Sequence, residues 1–156
     1  MEAKILKTVL LGKDKVLTVD SEWDVFLRDE RNNNRKAFFT GKRFVKFMQM
    51  MHDVDRVIGK ASDGKDVTVK LHLGGAWFLS VTPGMACVDL RKFYQDRNND
   101  IKPSKLGIAL NFSEWDSLMN AAATINDELK GFQAISTCWH QTDDELHNCN
   151  ECTPFK

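Results

Sequence analysis

Long apolar runs are missing from this sequence. None approaches the roughly 20 residues that a helix needs to cross a bilayer, so no helical membrane span is expected. The opening stretch MEAKILKTVLLGKDK has no signal-peptide pattern, because its apolar part is short, is interrupted by Lys7 and is not followed by a cleavage-like site. An intracellular protein is the expectation. A surplus of one charge is missing too: 22 Lys and Arg balance 22 Asp and Glu, which argues against indiscriminate binding to nucleic acid. Catalytic signatures are absent, with no G-x-S-x-G, no phosphate-cradling Gly-rich loop before a helix and no H-E-x-x-H. His52 and His72 fall on an expected helix and an expected strand with no Cys or obvious acid partner nearby in sequence, and read as ordinary surface or half-buried histidines. No enzymatic activity is expected. Cysteine is scarce, four in 156 residues, and three of the four lie near the C-terminal end.

What the chain does contain is a pattern written twice. LGKDKVLTV (Leu11 to Val19) lies over LGGAWFLSV (Leu73 to Val81), VFLR (Val25 to Arg28) over VDLR (Val88 to Arg91), and AFFTGKRFVKFM (Ala37 to Met48) over IALNFSEWDSLM (Ile108 to Met119). Each copy reads as four strands and a helix. A unit that short has little core of its own, so each should need the other, as the two halves of a covalent homodimer would.

Turn residues punctuate both copies. Gly12-Lys13-Asp14, Asp20-Ser21-Glu22 and Asn32-Asn33-Asn34 separate the first four strands, with Thr40 as an expected N-cap. Gly74-Gly75, Pro83-Gly84 and Asn98-Asn99-Asp100 separate the second four. Asn111 and Glu114 then stand at the spacing of a capping box. Phe44, Phe47, Met48, Met51 and Ile58 form one helical stripe, and Trp115, Leu118, Met119, Ala122, Ile125 and Leu129 form another; both are read as core. The expected organisation is a first β4α unit over 1–60, a linker at 61–65, a second unit over 66–134 and an acidic tail at 135–156. The fold class is α+β, with each unit a curved four-stranded antiparallel sheet plus a helix and the two forming an intramolecular pseudo-dimer. Charge is segregated along this plan, with net +4 over residues 1–62, zero over 63–126 and −4 over 127–156. A basic face and a merely solvated surface both accord with it.

From Val88 to Trp115 the chain reads VDLRKFYQDRNNDIKPSKLGIALNFSEW. The strand VDLRKFY, the segment KPSKLGIAL and the helix opening NFSEW resemble the DNA-binding domain of the transcriptional coactivator positive cofactor four, and LGGAWFLSV resembles that family's second strand. The resemblance covers most of the second unit and fits the first more weakly. It implies a curved four-stranded sheet followed by a helix, assembled as a dimer, that binds single-stranded or locally melted DNA with little sequence preference and works beside transcription proteins. It further implies nuclear action in a eukaryote and cytoplasmic action otherwise. The chain is expected to be a monomeric pseudo-dimer or a further dimer. Carried onto this sequence, the resemblance points to Arg91, Tyr94, Lys102 and Lys105, with Lys102 and Lys105 on a loop entering the eighth strand. In the first unit Arg28 matches Arg91, and Arg35 and Lys36 are added as loop cations. Cations that track phosphates and rings on which bases stack are what single-strand binding needs. The family's charged second hairpin is replaced here by the uncharged SVTPGM (Ser80 to Met85), and the first unit has VDSEWD (Val19 to Asp24), whose acids repel phosphate. A protein-interaction module on the same scaffold is therefore the alternative.

The tail, CWHQTDDELHNCNEC, carries Cys138, His140, His147, Cys149 and Cys152. Four readings stand side by side: a zinc site on Cys138, His140, Cys149 and Cys152, a disordered acidic tail, a Cys149/Cys152 redox pair, or a disulfide. No other cofactor is expected. Cys87 is read as a small apolar strand residue.

Overall fold

Alternating apolar residues and tight turns build eight strands and two helices, and a computed structural model describes them over residues 3–62, 69–81, 87–135 and 155. The strands are β1 (Ile5–Leu10), β2 (Lys15–Asp20), β3 (Val25–Asp29) and β4 (Asn32–Phe39), then β5 (Val69–Gly74), β6 (Trp77–Val81), β7 (Cys87–Gln95) and β8 (Ile101–Asn111). Helix α1 (Gly41–Ser62) follows β4, helix α2 (Phe112–Glu128) follows β8, and a 3₁₀ turn (Lys130–Ala134) ends the run. The chain is α+β with a β4α–β4α layout. Residues 61 and 62 of the expected linker continue α1; its remainder lies outside the described residues.

All eight strands join one mixed sheet in the order β1-β2-β3-β4-β8-β7-β6-β5. Every neighbour is antiparallel except β4 and β8, which run parallel and meet where Arg35 lies opposite Gly107. The ladders on either side of this seam have matching registers. Leu17 opposes Leu27 and Val19 opposes Val25 in the first half, while Leu79 opposes Leu90 and Val81 opposes Val88 in the second. Gly107 also lets β8 lie close against β7: a Cβ there would sit 2.7 Å from the Leu90 carbonyl oxygen and 3.0 Å from Arg91 Cα.

One face of the sheet is covered by both helices. Leu17, Val25, Leu27, Phe39, Leu79, Val88, Leu90 and Leu110 share a single buried cluster with Phe44, Phe47 and Val54 of α1 and Trp115, Leu118 and Ile125 of α2. The helices meet where Phe47 and Trp115 pack edge to face at 5.7 Å. Both expected caps form. Thr40 Oγ1 accepts from the Arg43 backbone N–H at 3.3 Å. The Asn111 and Glu114 side chains each accept from the other's backbone N–H, at 2.7 and 2.9 Å.

Two further contacts tie the halves together. The Lys15 ammonium on β2 donates to both Glu114 carboxylate oxygens, at 2.9 and 3.1 Å, and both side chains are buried. Phe132 of the 3₁₀ turn lies 5.2 Å from Trp23 and 5.5 Å from Phe44. Trp23 follows Asp20-Ser21-Glu22, and its φ of 66° places it in the turn before β3. There Asp20 Oδ1 accepts the Glu22 and Asp24 backbone N–H groups, both at 3.0 Å. Gly131 is required beneath the ring, since a Cβ would come within 2.2 Å of Trp23 Cζ2.

Two strands are longer than their composition suggests. β4 includes Asn32 to Asn34, and β8 begins at Ile101, so Arg35, Lys36, Lys102 and Lys105 are strand residues rather than loop residues. The β7–β8 arm extends past the core and is held by main-chain pairing, Phe93 with Pro103, Tyr94 with Lys102 and Gln95 with Ile101. Apolar alternation fades there because neither face of the arm packs on a helix.

Candidate nucleic-acid interface

The face of the sheet turned away from the helices gathers, in the second half, an aromatic and cationic cluster. Phe78 on β6 opposes His72 on β5 and Arg91 on β7. Phe78 and Phe93 meet edge to face at 4.9 Å, and the Lys70 ammonium lies 4.1 Å from the Phe93 ring centre and 4.9 Å from that of Phe78. Such contacts fix a cation beside the rings by about 0.5–1 kcal/mol at exposed sites. His72 stacks at 5.0 Å on Phe78, and its Nε2 sits 2.6 Å from the Gly75 carbonyl oxygen. Arg91 is braced: its guanidinium donates to both Asp89 oxygens and to the Ser104 carbonyl, all at 3.0 Å.

Beyond this cluster the β7–β8 ladder shifts register between Arg91 and Phe93. The extra residues lie on β8, where Ser104, Lys105 and Leu106 face Lys92 alone. Alternation on β7 is preserved, so Phe93 shares the Arg91 face and Tyr94 points the other way. Tyr94 is 48% exposed and pairs across the arm with Lys102. The Lys102 ammonium lies 2.9 Å from Asp96 Oδ2. Its hydrogen bond, with the backbone N–H groups of Asp100 and Asn98, holds the Asp96 carboxyl below the usual range. Lys105 is exposed and has no ion-pair partner among the described residues.

In the first half, Arg28 and Lys36 are cross-strand neighbours, both exposed and without an ion-pair partner among the described residues. Arg35 reaches to 4.0 Å from Asp29. Burial disfavours ionisation of Asp29, but the Arg31 backbone N–H and guanidinium outweigh it and hold the carboxyl low. Beside the cations, Phe26 and Phe38 pack 5.1 Å apart on the open face. A cleft of about 320 Å³ opens between them and Trp77 and Leu106 of the second half, with Arg28 and Lys36 at its edge.

The structure therefore sets Arg28, Arg35 and Lys36 together near the seam, Arg91 inside the aromatic cluster, and Tyr94, Lys102 and Lys105 along the arm. Lys70, Phe78, Phe93, Phe26 and Phe38 escaped the sequence reading. Their signal was strand alternation: Lys70 and His72 alternate with Leu71 and Leu73, and Phe78 stands between the buried Trp77 and Leu79. The acidic turn is real, with carboxylate oxygens of Asp20, Glu22 and Asp24 within 4.8 Å of one another. Burial, then Asp20 and Glu22, raise the Asp24 carboxyl. Cys87 is half-buried on β7, its thiol pushed up by burial and by Asp89. Cys138, His140, Cys149 and Cys152 lie outside the described residues.

These features define an α+β sheet protein with one helix-covered face and one open face on which rings stand among cations. Residues 83–121 match the family model described as Transcriptional Coactivator p15 (PC4), a family of transcriptional coactivators rather than of enzymes. The match is to a single copy and covers β7, β8 and the first part of α2. No solved structure matches the chain.

Proposed function

We propose that this protein binds single-stranded or locally melted DNA on the open face of its sheet, with little sequence preference, as a non-enzymatic transcription cofactor. The observation that carries the reading is the Lys70, Phe78, Phe93 and Arg91 cluster, which stands on the open face beside the β7–β8 arm of the family-matched segment. Half-exposed rings among cations suit bases that stack while their phosphates are neutralised, each stack contributing about 1–3 kcal/mol. Arg28 and Lys36 extend the cationic track on this face, Arg35 and Lys105 add cations at the seam and on the arm, and Tyr94 and Lys102 offer a ring and a cation on the arm's other side. The two halves, 1–60 and 66–134, act as a pseudo-dimer within one chain. Their matching registers and shared core support this, and a further dimer is the alternative assembly. Transcription proteins are the expected partners, in the nucleus of a eukaryote or the cytoplasm otherwise. The tail at 135–156, with its zinc reading, is assigned no part in DNA binding.

The interaction-module reading keeps one observation in its favour. Arg91 and Lys102 are already neutralised by Asp89 and Asp96. A fluorescence-anisotropy titration with labelled single-stranded and duplex oligonucleotides, at low and moderate salt, separates the two. The strand-binding reading predicts a preference for single strands and an affinity that falls with salt. Equal or absent binding of both would leave the interaction module.

A further inference from the structure

The cleft crosses the seam, and its two open-face rings come from the first half. The register places Phe26 where the second half has Asp89, and Phe38 where it has Ala109. The second half thus fills its equivalent row with an ion-paired acid and a methyl group. The first half offers two flat rings beside the buried Trp77, with Leu106 closing the other side. At about 320 Å³ it stands at the lower end of small-ligand sites, which run from roughly 300 to 1,000 Å³. Its edge carries Arg28 and Lys36, two cations with no ion-pair partner among the described residues. Phe26 and Arg28 also line the adjoining groove, where Thr18 presents a buried hydroxyl with no hydrogen-bond partner among the described residues. An apolar, ring-walled slot edged by unpaired positive charge matches one chemical class, a nucleotide with its base inside and its phosphate at the mouth.

We infer that this cleft is a nucleotide-insertion site, taking one unstacked base between Phe26, Phe38 and Trp77 and its phosphate on Arg28 and Lys36. The inference rests on the strand-binding reading above and deepens it. A strand crossing the seam turns one base into the slot, while its neighbours lie over the open sheet.

The test uses the full chain and two probes: deoxyadenosine 5′-monophosphate and deoxyribose 5-phosphate, which keeps the phosphate and lacks the base. The readout is the NMR resonance of the Trp77 indole, assigned with Trp77→Phe. The nucleotide should shift that resonance saturably and bind roughly ten-fold more tightly than the sugar phosphate, in line with one base stack. Phe38→Leu, which keeps bulk but removes the flat ring, should erase the difference. Arg28→Ala, at an exposed position, should weaken both probes alike. Equal binding of the two probes, or an undiminished base effect in Phe38→Leu, overturns the slot. Oligonucleotide binding without nucleotide in the cleft would overturn the slot alone, whereas nucleotide in the cleft without oligonucleotide binding would overturn the strand-binding reading alone.

Discussion

A cation already held by a carboxylate has less to offer a phosphate than one that faces water. Lys102 leans on Asp96, and a phosphate must displace that partner or share the ammonium, whereas Lys105, Arg28 and Lys36 have no ion-pair partner among the described residues. The salt dependence of single-strand binding, about −0.7 in the log–log slope per phosphate contact, should register the difference. Lys105→Ala and Arg28→Ala should each flatten the slope by about that amount, and Lys102→Ala by less. Anisotropy titrations across a salt series check this, and a Lys102 effect larger than the other two would contradict it. Much of this cation set was legible from the sequence, because Arg28 and Arg91 hold equivalent places and KPSK resembles a family motif. The rings were harder to read. Phe78 and Phe93 look like core residues, since a Phe beside Leu gives no local sign of which sheet face it takes. Alternation along the strand, with Phe78 between the buried Trp77 and Leu79, is the sign that remains, and the register, with Phe78 opposite Arg91, shows which face it takes.

Among the elements, the start of α2 bears the most. Glu114 closes the capping box and also holds the buried Lys15 ammonium from the other half of the chain. Removing it leaves a buried charge without a partner, a loss of about 3–5 kcal/mol for a broken buried pair. Glu114→Ala should therefore lower the denaturation midpoint sharply. Adding Lys15→Met should recover most of the loss, because the stranded charge is then gone. If the double variant is no more stable than Glu114→Ala, the cap rather than the ion pair carries the effect. The cap was legible in Asn111-Phe112-Ser113-Glu114, a local signal four residues long. The pairing with Lys15 was not, since nothing in the sequence marks a buried Lys on a strand of the other unit. The β7–β8 arm was hidden for a related reason: main-chain pairing, rather than apolar burial, holds its strands, so its composition reads as loop.

At the scale of the whole molecule, the β4α–β4α order could be read from the repeated pattern, but the joining of both ladders into one sheet could not. That depends on the parallel pairing of β4 with β8, bridged at Arg35 and Gly107, which no periodicity encodes. The continuous sheet gives a polymer one open face across both halves, while the helices and the Phe132–Trp23 contact lock the other side. Residues 66–134 alone would expose the core surface that α1 covers and strand Glu114 without Lys15. Expressed alone, they should dimerise or melt well below the full chain; a stable monomer with native-like melting would contradict the shared core. The central claim concerns which face meets the strand, and photocrosslinking reads that directly. A single-stranded oligonucleotide substituted with 5-bromouracil is bound to the full chain and irradiated, and the adducts are located by peptide mass spectrometry. The account predicts adducts on β3, β4, β6 and β7, at Phe26, Phe38, Phe78 and Phe93, with duplex competing poorly. Adducts confined to α1 and α2, or none above the duplex control, would contradict it.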